Sequence, residues 1–138
     1  MTRKPDEISS DLMQPLETLP VFFDLKRRRV VVVGGSEGAA WKADLVGAAG
    51  ADVEVFASEP CDKMREIVAA RTNVALHIRE FEPDDIKGAA LLFGAIGDDA
   101  QARAAVDAAK AAGVLVNLAD RPAMSDFIMG AIVNRSPL

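Results

Sequence analysis

A glycine-rich run directly follows a short, wholly apolar segment in the first third of the chain. Residues 30–33 are four consecutive valines, and the sequence then reads Gly34-Gly35-Ser36-Glu37-Gly38-Ala39. A β-branched run of this kind predicts a strand buried on both faces, and the glycines predict a tight turn into a helix. The spacing is similar to the G-x-G-x-x-G/A fingerprint, in which main-chain groups at a helix N-terminus approach a pyrophosphate. The chemistry indicated is anion binding by the backbone, as in a dinucleotide site.

Two of the three fingerprint positions are kept. Gly34 matches the first, which makes the turn, and Ala39 matches the third, where a small side chain lets helix and strand approach. Ser36 stands at the second, and its hydroxyl is able to donate to a phosphate oxygen. An acid that binds the ribose is expected about 20 residues further on, and Ser58 and Glu59 lie near that position. A glycine-rich turn without a ligand is the alternative.

A second candidate for chemistry is Asp120, which follows the last predicted buried strand. The carboxyl ends of parallel strands share one edge of a sheet, so this carboxylate is expected at the same edge as the glycine turn. There it is able to take up or release a proton. The alternative is a turn aspartate ahead of Arg121 and Pro122, which is a common role for this residue type.

The other reactive side chains have simpler interpretations. The single cysteine, Cys61, has only one histidine in the chain, His77, to activate it, so an inert thiol and a structural histidine are expected. The acidic pairs at residues 84–85 and 98–99 fall where helices are expected to begin, which favours capping over metal binding. No Cys/His set has metal-ligand spacing, and whether the chain holds a metal stays unknown.

The elements that must position these residues alternate between strand and helix. Apolar segments predict strands at residues 30–33, 53–56, 74–78, 89–93 and 114–118, and helices at residues 39–49, 61–71 and 101–112. Residues 127–133 predict a final strand or a segment that covers the sheet edge. The alternation predicts an α/β fold, a Rossmann-like domain with a parallel sheet of about five to six strands and helices on both faces.

Composition excludes several functional classes. The 138 residues suffice for one domain, half of them are apolar, and a net charge of −5 disfavours a nucleic-acid surface. No apolar run approaches the ~18 residues of a membrane helix, so no membrane partner is expected. Residues 1–18 carry scattered charges and are predicted to be a mobile lead-in to a domain at residues 19–138. One cysteine fits a reducing compartment, and a cytoplasmic location is expected.

Several blocks of the sequence, in order, resemble the N-terminal domain of siroheme synthase, the precorrin-2 dehydrogenase and sirohydrochlorin ferrochelatase family. They are LPVFFDL at residues 19–25, VVVGG at 31–35, AWKA at 40–43, NLAD at 117–120, SDFIM at 125–129 and AIVNRSPL at 131–138. The last two blocks are the most specific, because a Rossmann domain in general has no reason to carry them.

The resemblance implies NAD-dependent dehydrogenation of precorrin-2 to sirohydrochlorin in siroheme biosynthesis, with Fe²⁺ chelation as a further activity of many members. It implies Asp120 as the catalytic residue. A tetrapyrrole with many carboxylates also needs cationic partners, and Arg121 and Arg135 are the candidates nearest to the matching blocks. The residues implied in NAD binding are Gly34, Gly35, Ser36, Glu37, Gly38, Ser58, Glu59, Ile96 and Gly97.

Two departures from the family pattern keep a second function open. Ser36 replaces a family glycine, and Ile96 replaces a family threonine, which favours the alternative of a non-catalytic NAD-sensing or interaction domain. In the family a helical dimerisation region follows this domain, which implies a homodimer for the intact protein. The 138-residue chain by itself is therefore expected to show low activity.

Overall fold

The predicted valine strand is the central strand of a parallel sheet. In the computed structural model, which describes residues 12–130, the strands are β1 (Arg29–Val33), β2 (Asp52–Phe56), β3 (Val74–His77), β4 (Leu91–Gly94) and β5 (Leu115–Leu118). Their order across the sheet is β3-β2-β1-β4-β5, and every neighbouring pair is parallel. The direction of winding reverses between β1 and β4, which is the switch point where doubly wound sheets bind ligands.

Helices cover both faces of the sheet. α1 (Glu37–Ala48) and α2 (Asp62–Ala70) pack on the face that carries Val30 and Val32, whereas α3 (Asp99–Ala112) packs on the face that carries Val31 and Val33. The four valines are at most 6% exposed, so β1 is buried on both sides as predicted. The predicted Rossmann-like α/β fold is confirmed, with five strands in the described part of the chain.

Capping residues set the start and end of α3. The Asp98 carboxylate accepts a hydrogen bond from the N–H of Gln101 at 2.9 Å, which confirms the capping role predicted for the acidic pair at residues 98–99. Gly113 ends the helix in the left-handed conformation, with φ of 70°.

The connection between β3 and β4 contains a single 3₁₀ turn, Pro83–Ile86, where a doubly wound fold would usually place a helix. Its capping is reciprocal, since the Asp85 carboxylate accepts from the N–H of Glu82 at 2.6 Å and the Glu82 side chain accepts in return. The capping role predicted at residues 84–85 is therefore carried by Asp85, in a shorter element than expected. Glu54 of β2 and His77 of β3 stay partly exposed beside this turn.

The strand predicted at residues 127–133 is not found in the described residues. Residues 127–130 form no strand, and residues 131–138 lie outside the part that the structure describes. Ser125 and Asp126 cover the edge of β5 instead: the N–H of Leu118 donates to Ser125 Oγ at 2.9 Å, and the N–H of Val116 donates to Asp126 Oδ2 at 2.9 Å. Side-chain oxygens therefore satisfy these two N–H groups at the edge of β5.

The start of the chain is described only from residue 12. Residues 12–18 contain no helix or strand, and residues 1–11 lie outside the description, so the mobile lead-in stays a prediction. Within residues 12–130, no helix is long and apolar enough to cross a membrane.

A charge cluster joins β1, β2 and β3 on the partly exposed face. The Arg29 guanidinium donates to Glu54, and His77 Nε2 lies 3.3 Å from the same carboxylate. His77 also stacks on Phe56, with 4.7 Å between the ring centroids, which confirms its predicted structural role. Burial raises the pKa of Glu54, but Arg29 and then His77 outweigh it and hold that pKa below its ordinary value.

We expect Glu54→Gln to lower the free energy of unfolding by about 1 kcal/mol at pH 7, because it weakens a partly buried charge-assisted hydrogen bond. A folded-state pKa below the ordinary 4.5 means that this stabilisation is present above pH 4.5 and is lost as the pH falls through the lowered value. Urea unfolding at pH 7 and pH 3 tests this. The difference between wild type and variant should shrink at pH 3, whereas Glu66→Gln, an exposed control on α2, should show little difference at either pH. A difference that is equal at both pH values would contradict the assignment.

Candidate nucleotide-binding crevice

The turn between β1 and α1 has no room for side chains at its first two residues. Gly34 has φ of 124°, and a Cβ there would lie 2.7 Å from the carbonyl oxygen of Ala95, which follows β4. A Cβ on Gly35 would lie 2.3 Å from the carbonyl oxygen of Glu59, in the loop after β2. Because both obstacles are main-chain atoms, only glycine fits at either position. Three loops therefore meet backbone to backbone at the switch point of the sheet.

This turn presents a row of main-chain donors to the crevice. The N–H groups of Gly35, Ser36, Glu37 and Gly38 donate to no acceptor among residues 12–130. Ser36 is the N-cap of α1, and its hydroxyl oxygen accepts from the N–H of Ala39 at 3.3 Å. Free N–H groups at a helix N-terminus, together with the helix dipole, favour an anion. The residues of the turn thus fit a pyrophosphate without any cationic side chain.

A crevice of about 600 Å³ opens beside the turn, on the α3 side of the sheet. This volume lies within the range of small-molecule and cofactor sites, about 300–1,000 Å³. Of the predicted cofactor-binding residues, six line it: Gly34, Gly35, Ser36, Ser58, Glu59 and Ile96. The other three do not line it: Glu37 and Gly38 follow Ser36 in the turn, and Gly97 follows Ile96. The crevice therefore brings together the turn and the ends of β2 and β4.

Other residues of the crevice were missed by the sequence analysis. Glu80, Phe81 and Pro83 enter from the connection between β3 and β4, and Gln101 and Ala104 enter from α3. None of these residues belongs to a recognised motif. The residues of the β3–β4 connection could have been expected only because that connection starts at the carboxyl edge of the sheet. Cys61 also lines the crevice, and its N–H donates to the carbonyl of Gly35 at 2.8 Å, which fixes the loop after β2 to the turn.

Asp120 lies at the predicted edge of the sheet but outside the crevice. It follows β5, so β4 stands between it and the strand that ends in the glycine turn. It is exposed, and its backbone adopts a left-handed conformation with φ of 60°, which aspartate tolerates better than most residues. No described residue donates a hydrogen bond to its carboxylate. This geometry is compatible with both the catalytic role and the turn role.

Arg121 anchors a loop of the crevice. Its guanidinium donates to the carbonyl of Ile96 at 3.1 Å and to that of Gly97 at 3.0 Å, and it lies 2.7 Å from the Asp99 carboxylate. These three partners hold the loop between β4 and α3. The proposed contact of Arg121 with substrate stays a prediction. Arg135, the other predicted cation, lies outside the described residues.

A second polar cluster lies on the opposite face of the sheet and joins three of the sequence blocks that carry the family resemblance. Lys42 of α1 donates to the Asn117 side chain at 3.1 Å, and Asn117 in turn donates to the carbonyl of Phe127 at 3.0 Å. Burial lowers the pKa of Lys42 below its ordinary value. This chain of contacts holds the segment after Asp120 against α1. Among residues 12–130, no group of three or more His, Cys, Asp or Glu side chains is arranged to hold a metal ion.

A profile of a protein family described as "Putative NAD(P)-binding" matches residues 21–131. The chain belongs to this family. Membership confirms the predicted class of cofactor, a nicotinamide adenine dinucleotide, and agrees with the free N–H groups at the turn of this NAD(P)-binding domain.

Individual relatives of the chain are siroheme synthases, the family that the sequence blocks resemble. The domain is 39% identical over 124 residues to a siroheme synthase of Ectopseudomonas mendocina, an alignment that covers 89% of this chain and 26% of that protein. It is 40% identical over 124 residues to siroheme synthase 1 of Halorhodospira halophila, covering 86% of this chain and 25% of that protein. The resemblance to siroheme synthase is confirmed, and the chain spans about a quarter of the length of these curated relatives.

A solved structure has the same fold. SirC, a precorrin-2 dehydrogenase, superposes with a TM-score of 0.73 at 22% sequence identity, over 88% of this chain and 59% of that one. At this identity the likeness establishes the Rossmann-like fold.

We expect Gly35→Ala to weaken NAD⁺ binding by at least about tenfold, because a Cβ would displace the loop that carries Ser58 and Glu59. Gly38→Ala is the matched control, since a Cβ there meets only Ser36 Oγ at 3.7 Å. It should bind NAD⁺ within about threefold of wild type and be as stable or slightly more stable. Calorimetric titration and thermal unfolding of both variants test this. Equal affinities of the two variants for NAD⁺ would show that the close packing at Gly35 does not shape the site.

Proposed function

We propose that this domain binds NAD⁺ and dehydrogenates precorrin-2 to sirohydrochlorin in siroheme biosynthesis. The main support is the row of free N–H groups at residues 35–38, placed where the winding of the sheet reverses. The similarity to siroheme synthases over most of the chain supports the choice of substrate, and the fold shared with a precorrin-2 dehydrogenase agrees with it. We therefore propose that the domain is an oxidoreductase of the cytoplasm.

The proposed cofactor position follows from the crevice. The N–H groups of Ser36, Glu37 and Gly38 would hold the pyrophosphate at the turn. The adenosine ribose lies beside Ser58 and Glu59, and the Glu59 carboxylate accepts from a ribose hydroxyl while repelling a 2′-phosphate, which favours NAD⁺ over NADP⁺. Ile96 and Gly97 would contact the nicotinamide half. Bound NAD⁺ supplies the hydride acceptor, which no side chain provides.

Asp120 is the proposed proton acceptor. Loss of hydride from precorrin-2 must be accompanied by loss of a proton, and an exposed carboxylate at the carboxyl edge of β5 is able to accept it. Arg121 and Arg135 are the proposed partners of the tetrapyrrole carboxylates, with Arg121 also holding the loop at Ile96 and Gly97.

Two further features are proposed for the intact protein. The tetrapyrrole product is able to accept Fe²⁺, and the Asp120 carboxylate is the candidate group to remove a pyrrole proton as the metal enters. In this proposal Fe²⁺ is a substrate. A homodimer supplies the remaining walls for a substrate as large as a tetrapyrrole.

A non-catalytic NAD-sensing or interaction domain is the second candidate function. The position of Asp120 outside the crevice and the replacement of a family threonine by Ile96 favour it. A single-turnover assay, with the protein in excess over precorrin-2 and with NAD⁺ present, separates the two candidates. Slow conversion to sirohydrochlorin supports the enzyme, whereas NAD⁺ binding without conversion supports the sensing domain.

We expect Ser36→Gly to bind NAD⁺ as tightly as wild type or a few-fold more tightly. The change restores the fingerprint glycine, and glycine at an N-cap costs only a few tenths of a kcal/mol. Calorimetric titration measures the dissociation constant, and Ser36→Val, which loses the cap and adds bulk at the phosphate, should bind at least about tenfold more weakly. Weaker binding by Ser36→Gly would mean that the serine hydroxyl itself donates to the phosphate.

We expect Asp120→Asn to reduce the single-turnover rate by about 10²–10⁴-fold while leaving the affinity for NAD⁺ nearly unchanged. The carboxylate acts on the substrate, whereas main-chain groups hold the cofactor. Asp107→Asn, an exposed change on α3, is the control and should match wild type in both measurements. A near-normal rate for Asp120→Asn would show that Asp120 is a turn residue and not the proton acceptor.

A further inference from the structure

Apolar side chains close part of the crevice. Phe56 at the end of β2 and Phe81 and Pro83 from the β3–β4 connection line it. Phe56 is almost fully buried, since His77 stacks on its ring and the Arg79 guanidinium lies over it, so its ring supports the wall of the crevice and offers no stacking surface of its own. Apolar surroundings of this kind suit an aromatic base, because they remove it from water.

Two polar side chains that line the crevice meet each other. Gln101 Nε2, from the first turn of α3, donates to Glu80 Oε1, from the β3–β4 connection, at 3.4 Å. Both side chains line the crevice and both are exposed. A hydrogen bond this long is weak, so a ligand that offers better partners is able to replace it at small cost.

The neighbouring charges do not compete for the Glu80 carboxylate. The Arg79 guanidinium makes two hydrogen bonds of 2.8 Å with the Asp85 carboxylate and donates to the main-chain carbonyl of Glu80 at 3.0 Å. It also lies over the Phe56 ring, 4.9 Å from the centroid. Arg79 is thus held in place by Asp85, and among residues 12–130 the Glu80 side chain has Gln101 as its hydrogen-bond partner.

We propose that Glu80 and Gln101 recognise the edge of the adenine ring of the bound dinucleotide and select a 6-aminopurine. An adenine edge carries an amino donor at N6 next to ring-nitrogen acceptors. The Glu80 carboxylate is an acceptor and the Gln101 amide carries a donor, so the pair presents the complementary pattern. Each partner exchanges its bond to the other for a bond to the base. This inference rests on the proposed function, because it requires the dinucleotide to occupy the crevice.

Hypoxanthine reverses the pattern that adenine offers. Its C6 carries a carbonyl oxygen, an acceptor, and its N1 carries a proton. A carboxylate at Glu80 then faces an oxygen, and two acceptors repel each other. Glutamine at the same position removes the conflict, since its amide N–H donates to the C6 oxygen and its carbonyl accepts from the N1 proton. Glu80→Gln is therefore a specificity change as well as a loss of charge.

The experiment compares NAD⁺ with nicotinamide hypoxanthine dinucleotide by calorimetric titration of the whole chain. We expect wild type to bind NAD⁺ about tenfold more tightly than the hypoxanthine analogue, and Glu80→Gln to lose or reverse this preference. The ratio of the two affinities is the measurement, because removing one negative charge affects both anionic ligands alike. Glu66→Gln, which removes an exposed carboxylate from α2 outside the crevice, should keep the wild-type ratio. Thermal unfolding confirms that each variant is folded.

Several results would overturn the proposal. If wild type binds NAD⁺ and the analogue equally, or if Glu80→Gln keeps the tenfold preference, the pair does not recognise the base, while NAD⁺ binding in the crevice still stands. If neither dinucleotide binds wild type at millimolar concentration, the proposed function and this inference both fail. Gln101→Leu gives a second check on the same pair, and it should reduce the affinity for NAD⁺ by about tenfold through loss of its donor.

Discussion

The contact between the glycine turn and two neighbouring loops is the constraint on which the rest of this domain depends. Gly34 lies against the carbonyl of Ala95, and Gly35 lies against the carbonyl of Glu59, with no space for a methyl group at either contact. Because the backbone is the contacting surface on both sides, the loops after β2 and β4 are held at fixed distances from the N-terminus of α1. The shape of the crevice follows from these distances. The buried valines of β1 serve the same arrangement, since they hold the strand that delivers the turn in the centre of the sheet.

The charged residues around the crevice act mainly on loops. Arg79 donates to the carbonyl of Glu80, and Arg121 donates to the carbonyls that follow β4. At the opposite edge of the sheet, Arg29 donates to the carbonyl of Lys87 at 2.9 Å. A planar guanidinium with five donors is well suited to hold irregular backbone in this way. A guanidinium that already donates to loop carbonyls has fewer donors left for a phosphate. In this domain the attraction for an anion therefore comes from aligned peptide groups, and its strength depends on backbone geometry more than on net charge.

Sequence reasoning succeeded where the determining interactions are local. The valine run, the glycine turn and the Asp98 cap each depend on residues within a few positions of one another, so the strand, the turn and the start of α3 could be predicted. The contacts of Arg121 with the loop after β4 and the meeting of Glu80 with Gln101 join residues more than twenty positions apart. No spacing rule carries that information, because these contacts arise only when loops from different strands come together at the edge of the sheet. The sequence correctly predicted that Asp120 lies at the carboxyl edge of the sheet. That β4 separates it from the crevice depends on the order of the strands, which the sequence pattern does not give.

The edge of β5 has a consequence for how the sheet meets other chains. Ser125 Oγ and Asp126 Oδ2 accept from the main-chain donors of Leu118 and Val116, and the N–H of Asp126 donates back to the carbonyl of Val116 at 2.8 Å. These bonds reproduce with two adjacent residues the pattern that an added strand would make. A peptide or a second molecule that joined the sheet here by β-augmentation would first have to break them. Among residues 12–130, two short polar side chains thus occupy edge groups of β5 that a new strand would need.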